Sequence, residues 1–405
     1  MGGAVLAFAA VAGCAASLFA AVPSAPSPVR LGTVPFRGIR PDRWEGIAIY
    51  RDLRYGPRGD APGEGKGYRS PMTGQTPDGR WYHTHRTGQF FDLIVPEKGY
   101  SPDAPVYVNF HGGAWSQAFD KDGESMWYLK RYADAGFVVV NADYMMPMDV
   151  LDVSRAPERN PEATFLTILR DIDTLAGHLK GDLLPAIGVR PTKFAIGGGS
   201  AGAHIAALYG YDQANPAHLG IGLRHDYPVG LVVNVVGPTD LASDDFTKPI
   251  LTGETGVFTM FDRPTVDRFV TLLGWLTDDD LRGRIARGDI DGARRVLARF
   301  SPSRMVTKDS PPTVFAYCRR FPWSDTDGCV PTSTYHDLES RLTAAGVPHR
   351  GDLRSWRIHG WLRAGYEQWV VDSARELMGG ASRLSFSDLS AKFGLERVQR
   401  LGGAH

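Results

Sequence analysis

The 405-residue chain predicts an α/β fold: a mostly parallel central sheet, helices on both of its faces, and a cap inserted over the strand ends. Three observations carry this reading. Short, nearly continuous apolar segments have the pattern of strands buried on both faces. Segments with apolar residues at helical spacing alternate with them, as crossover helices must in a parallel sheet. A stretch from about 238 to 312 breaks the alternation and is too long for a simple connection, so it is expected to pack as a cap.

In chain order, Gln89-Phe90-Phe91-Asp92-Leu93-Ile94-Val95-Pro96 predicts a strand that ends at its proline. Strands are also expected at Val106–Phe110, Phe137–Asn141, Lys193–Gly197, Gly230–Val236, Thr313–Tyr317 and Asp352–Trp356. Apolar spacing predicts helices within residues 123–136, 164–179, 203–209 and 332–345, with further helical runs at 264–277 and 289–300 inside the cap. Residues 29–88 form an N-terminal arm whose Gly/Pro-rich part, Gly56–Gly79, predicts loop. The main domain spans 89–378, and a helical tail occupies 379–405.

Residues 1–28 differ from the rest. Met1–Val22 carries no charge and is rich in Ala, Val, Leu and Phe, and Pro23, Pro26 and Pro28 follow. This predicts an export signal and linker, so that the protein is secreted, periplasmic or surface-anchored. An uncleaved membrane anchor is an alternative. A third is lipidation at Cys14, because Val11-Ala12-Gly13-Cys14 resembles a bacterial lipobox. The 45 basic and 45 acidic residues balance. No net field therefore draws the chain to nucleic acid, and a membrane is reached only through the N-terminal segment.

In a parallel sheet, chemistry is expected just beyond the carboxyl ends of the strands. Two motifs sit there. Gly198-Gly199-Ser200-Ala201-Gly202 follows an expected strand and opens an expected helix, the context that a G-x-S-x-G nucleophile turn requires. His111-Gly112-Gly113-Ala114-Trp115 follows the strand Val106–Phe110. Its glycines let backbone N–H groups approach a substrate oxygen, so Gly112, Gly113 and Ala201 are the expected oxyanion hole. The His111 side chain is expected to be structural.

These motifs resemble the α/β-hydrolase esterases of the hormone-sensitive-lipase and BD-FAE-like type, with likeness running from about Gln89 to Leu377. Phe91–Pro96, Asp143-Tyr144, Ser301–Met305 and Pro311-Pro312 resemble further parts of that pattern in the same order. The resemblance implies the α/β-hydrolase fold and a serine–acid–histidine order along the chain. His359-Gly360-Trp361 matches the family's His-Gly-aromatic, which makes His359 the expected base. His336 is expected on an exposed helix face, His349 before the last strand, and His204 in a structural position one turn past Ser200. Asp327-Gly328-Cys329-Val330-Pro331 matches Asp-x-x-Val-Pro and makes Asp327 the expected acid. The loop ahead of it is longer than the family pattern, so Asp325 competes, and Asp240 more distantly.

The sequence thus predicts a carboxylesterase acting on a small-molecule or polymer-linked ester through an acyl-enzyme, without cofactor or metal. His83 and His85 have no ligating companions at useful spacing. The alternatives are a serine peptidase or amidase, and a binding protein that keeps the fold without turnover. Oligomeric state is not readable. Cys318 and Cys329 are the pair left in the folded part, and with export they are expected to form a disulfide across the acid loop. Two separate thiols are the other reading.

Overall fold

In the computed structural model the described residues are 29–31, 34–36, 46–57, 89–97, 99–115, 121, 126–147, 160–252, 263–357, 359 and 364–379. The export segment, Cys14, His83, His85, most of Gly56–Gly79 and the expected helix at 387–401 lie outside them. No helix among the described residues is long and apolar enough to cross a membrane.

Strands β1 (Val29–Leu31) and β2 (Val34–Phe36) pair antiparallel as a small ribbon. The main sheet has eight strands: β3 (Ile47–Arg54), β4 (Phe90–Pro96), β5 (Val106–Phe110), β6 (Val138–Ala142), β7 (Phe194–Gly199), β8 (Val229–Val235), β9 (Thr313–Cys318) and β10 (His349–Arg354). Their order across the sheet is β10-β9-β8-β7-β5-β6-β4-β3. The pairs from β10 to β6 are parallel, while β3 and β4 join antiparallel. This is a mostly parallel mixed sheet, as the apolar runs predict: β5, β6 and β8 are buried at every position.

The helices follow in chain order: α1 (Met126–Asp134), α2 (Phe165–His178), α3 (Leu184–Ala186), α4 (Ala201–Asp212), α5 (Pro216–Leu219), α6 (Asp244–Thr252), α7 (Arg263–Thr277), α8 (Leu281–Ala286), α9 (Ile290–Arg299), α10 (Ser333–Ala345) and α11 (Ala364–Leu377). Helix α4 is buried along its whole length, as an all-round apolar helix at the centre of an α/β layer must be. Helix α2 starts at a capping box formed by Thr164 and Thr167. The interruption in the alternation is occupied by α6–α9, between β8 and β9.

The structure departs from the sequence expectations in three places. The arm contributes β3, an edge strand in register with β4, because Ile47, Ile49 and Tyr50 bury against the sheet. The last strand begins at His349 rather than Asp352, paired from Thr313 onward along β9. Helix α11, after the base loop, had no counterpart in the apolar-spacing reading.

Strand order explains why the site forms where it does. From β5 the chain moves outward to β6, then returns to the other side of β5 as β7. The carboxyl ends of β5 and β7 therefore bound the crevice at the switch point, where open α/β sheets bind ligands. Both glycine motifs lie on it.

Candidate active site

The serine turn is built by steric necessity. Ser200 has φ 52° and ψ −120°, a left-handed backbone that costs energy for a residue with a Cβ. Its N–H donates to the Val235 carbonyl at 2.8 Å, and its carbonyl accepts from the His204 N–H at 3.1 Å. A Cβ at Gly198 would lie 2.2 Å from the Phe110 carbonyl oxygen. One at Gly202 would lie 2.1 Å from the same oxygen and 2.5 Å from that of His111. Only glycine lets α4 begin this close to the end of β5. No side chain caps the first turn of α4, which starts at Ala201, so the positive end of the helix lies beside the serine.

The turn after β5 has three successive left-handed residues: Gly113 (φ 101°), Ala114 (φ 52°) and Trp115 (φ 56°). Its side chains hold it from beneath. The buried His111 ring stacks on Tyr144 at 4.3 Å, and the Tyr144 hydroxyl donates to the His111 carbonyl at 3.2 Å. Trp115 packs edge-on against His204 and Phe165 and stacks at 5.8 Å on Phe269 of α7, which brings the inserted helices to this side of the site. His204 pairs with the Phe300 carbonyl at 2.9 Å, and burial pushes its pKa down to about 3. It is a neutral structural group. The carbonyls of Phe110 and His111, just ahead of Gly112 and Gly113, thus lie against the start of α4 at Gly202.

The acid and base come from the loops after β9 and β10. Asp327 is buried. Its Oδ1 accepts from the backbone N–H groups of Cys329 at 2.9 Å and Val330 at 2.8 Å. Its Oδ2 lies 2.7 Å from His359 Nδ1, and His359 Nε2 lies 2.8 Å from Ser200 Oγ. The side chain of His359 is 17 % exposed and that of Asp327 1 %, so the chain of contacts runs from the interior toward the surface. Thr326 and Pro331 pair across the base of the acid turn, and Gly328 takes φ 106° within it.

Of the acid candidates, Asp327 meets the histidine. Asp325 is exposed, and its backbone carbonyl serves the turn by accepting from Thr332 N–H at 2.8 Å. Asp240 is held by Arg304 through two contacts of 2.9 Å. His336 is exposed on α10, and His349 opens β10 with Nδ1 2.8 Å from the Val347 carbonyl.

The expected disulfide is not formed: Cys318 and Cys329 are both thiols. Cys318 is the buried last residue of β9, and burial pushes its pKa up to about 12, which suppresses the reactive thiolate. Cys329 lies instead with its sulfur near Asp327 and His359. Among the described residues, the sulfur, a carboxylate oxygen and a ring nitrogen of these three residues lie within 4.8 Å of one another. The sequence reading placed no metal donors here.

Sequence reasoning also missed the backbone clasp on Asp327 from Cys329 and Val330. Asp-Gly at 327–328 is the turn signal that could have found it. The sequence reading assigned the choice of substrate to the cap and the loop around Trp323, but missed the aromatic group that this tryptophan joins. Phe321 stacks on Trp323 at 5.4 Å, and Trp356 meets both edge-on. Trp323 is 74 % exposed and Trp356 59 %.

Residues 91–255 match the family model described as BD-FAE. Among solved structures, an inhibited esterase B from Lactobacillus rhamnosis is similar at TM-score 0.54 and 16 % identity, covering 86 % of this chain and 91 % of that one. A bacterial heroin esterase is similar at TM-score 0.52 and 15 % identity, covering 92 % of this chain and 90 % of that one. No curated protein matches the sequence. With its sheet order, its serine turn at the switch point and these structural relatives, the chain has the α/β-hydrolase fold of the esterases that its sequence motifs resemble.

Proposed function

We propose that the protein is a serine ester hydrolase. The observation that carries this is the run of contacts from Asp327 through His359 to Ser200, at 2.7 and 2.8 Å, ending on a serine held in a strained turn. With its Nδ1–H donating to Asp327, His359 presents the Nε2 lone pair to Ser200. Ser200 Oγ attacks an ester carbonyl while Nε2 takes its proton, then returns it to the leaving alcohol. Gly112, Gly113 and Ala201 donate to the developing oxyanion, and a water attacks the acyl-enzyme with His359 again as base.

The structural relatives bear esterase names, which supports ester rather than amide cleavage. The substrate is a small-molecule or polymer-linked ester, and Phe269 of α7, stacked on Trp115, brings the inserted segment beside the turn after β5. The test is turnover of a p-nitrophenyl acyl ester beside the matching p-nitroanilide by the purified chain. Ester cleavage that outpaces anilide cleavage is expected. Preference for the anilide would make the protein an amidase, and no cleavage of either would favour a binding role.

A further inference from the structure

We propose that Asp327, Cys329 and His359 form an inhibitory site for a thiophilic divalent cation, with zinc the ion that fits. The donors are one carboxylate, one thiol and one imidazole, already within 4.8 Å of one another. Zinc takes this mixture of S, N and O donors in a tetrahedron, with three protein ligands and an open fourth position. Its bond lengths place tetrahedral donors about 3.5 Å apart, so the sulfur must move in by up to roughly an ångström while Asp327 Oδ2 and His359 Nδ1, 2.7 Å apart, open slightly to admit the ion.

The surroundings suit that role. Asp327 is buried and its Oδ1 is fixed by two backbone N–H groups, so Oδ2 stays aimed at His359. Such outer contacts orient a ligand and strengthen its metal site. Cys329 and His359 are part-exposed, which gives an ion a path in from solvent. The expected disulfide would have consumed this thiol, and its absence leaves the sulfur beside the acid–base pair.

Binding would release one proton to solvent, from the Cys329 thiol, while the single ring proton of His359 moves from Nδ1 to Nε2. The thiolate and carboxylate would then balance the charge of the ion, with no electron transferred. The consequence for the site follows from the ring. Once Nδ1 gives its lone pair to the ion, the ring's one proton sits on Nε2, 2.8 Å from Ser200 Oγ. Nε2 then donates toward the serine and has no lone pair to receive its proton. The ion would thus lock the histidine in the tautomer opposite to the one that general-base catalysis needs. This consequence rests on the proposed hydrolase reading, whereas the binding itself does not.

The experiment uses the full chain, cobalt(II) chloride as optical probe and zinc chloride as ligand. Cobalt is expected to give a thiolate-to-metal charge-transfer band in the near ultraviolet, which zinc displaces and which Cys329→Ser and Cys329→Ala both lose. Zinc is expected to suppress ester turnover. Either substitution should raise the zinc concentration for half-inhibition by about tenfold or more, each variant being compared with its own metal-free rate. The absence of the cobalt band in the wild-type chain would overturn the proposal, as would a band or a zinc sensitivity that survives loss of the Cys329 sulfur. If the band behaves as expected but no ester is turned over with or without metal, the site stands and the hydrolase reading falls.

Discussion

The two sides of the site are held by different means. On the nucleophile side, between β5 and β7, the backbone fixes the geometry. Ser200 is strained, Gly198 and Gly202 press against the carbonyls of Phe110 and His111, and β-ladder contacts lie directly behind. On the acid–base side, beyond β9 and β10, the strands have ended, and loop hydrogen bonds place Asp327 and His359. Close approach of two backbones leaves few residue choices, while a loop clasped by backbone N–H groups accepts many sequences. Adding a side chain at the glycines of the first side should therefore damage the fold, whereas substitution of the reacting side chains on either side should damage chemistry alone.

The largest expected effect is on the serine. Ser200→Ala should lower ester turnover by roughly a million-fold, the scale of losing the nucleophile from a working triad. Circular dichroism and thermal melting should remain near wild type, because the strained turn loses only a hydroxyl. Retention of a few per cent of the activity would mean that another group is the nucleophile.

Asp327→Asn isolates the other side. Asparagine keeps the volume but favours the wrong histidine tautomer, at a cost of about ten-thousand-fold in the best-studied triad. Asp325→Asn should leave turnover near wild type, because Asp325 is exposed and serves the turn through its backbone. Comparing kcat of the two variants decides the matter, and a larger loss at Asp325 would sink the assignment.

Gly202→Ala tests the backbone side by stability. The new Cβ would lie 2.1 Å from the Phe110 carbonyl oxygen and 2.5 Å from that of His111, both main-chain atoms that cannot swing aside. A loss of about 3 kcal/mol in urea unfolding is expected, at the upper end of ordinary overpacking. A neutral change would show that α4 and β5 can separate, and the contrast between the two sides would weaken.

The smallest effect lies away from the site and depends on pH. Glu367 of α11 is fully buried, meets Arg131 of α1 at 2.9 Å through Oε2, and has no partner at Oε1. Desolvation raises its pKa to about 7, against a smaller opposing effect of Arg131. A carboxyl raised in the folded state favours folding fully at pH below its unfolded pKa. That contribution is lost as pH rises from the unfolded value, 4.5, through about 7. Glu367→Gln should therefore gain on wild type by about 2 kcal/mol between pH 5 and 8, read from paired unfolding curves. A difference that does not change with pH would show that Arg131 keeps the carboxylate ionised throughout.

What could be read from the sequence follows the same division. The serine turn and the His111-Gly112-Gly113 turn were legible because the close approach of β5 and α4 forces glycine at fixed positions, and buried parallel strands leave continuous apolar runs. The edge strand β3 was not, because it lies in an arm whose Gly/Pro-rich remainder reads as loop. The Cys318–Cys329 bridge was expected from count and spacing, neither of which reports direction. Cys318 closes a buried strand, and Cys329 faces the acid–base pair. The clasp on Asp327 depends on backbone N–H groups, which every residue type but proline carries, so it left only the faint Asp-Gly turn signal.

The central claim is that Ser200, His359 and Asp327 work as one activated unit, and covalent labelling tests it most directly. The purified chain would be treated with a fluorophosphonate, digested, and the modified peptide identified by mass spectrometry, with Ser200→Ala and His359→Ala treated in parallel. The account predicts a single phosphonylated site at Ser200, no adduct in Ser200→Ala, and labelling of His359→Ala slowed by orders of magnitude. A wild-type chain whose Ser200 stays unmodified, or whose labelling is indifferent to loss of His359, would contradict it.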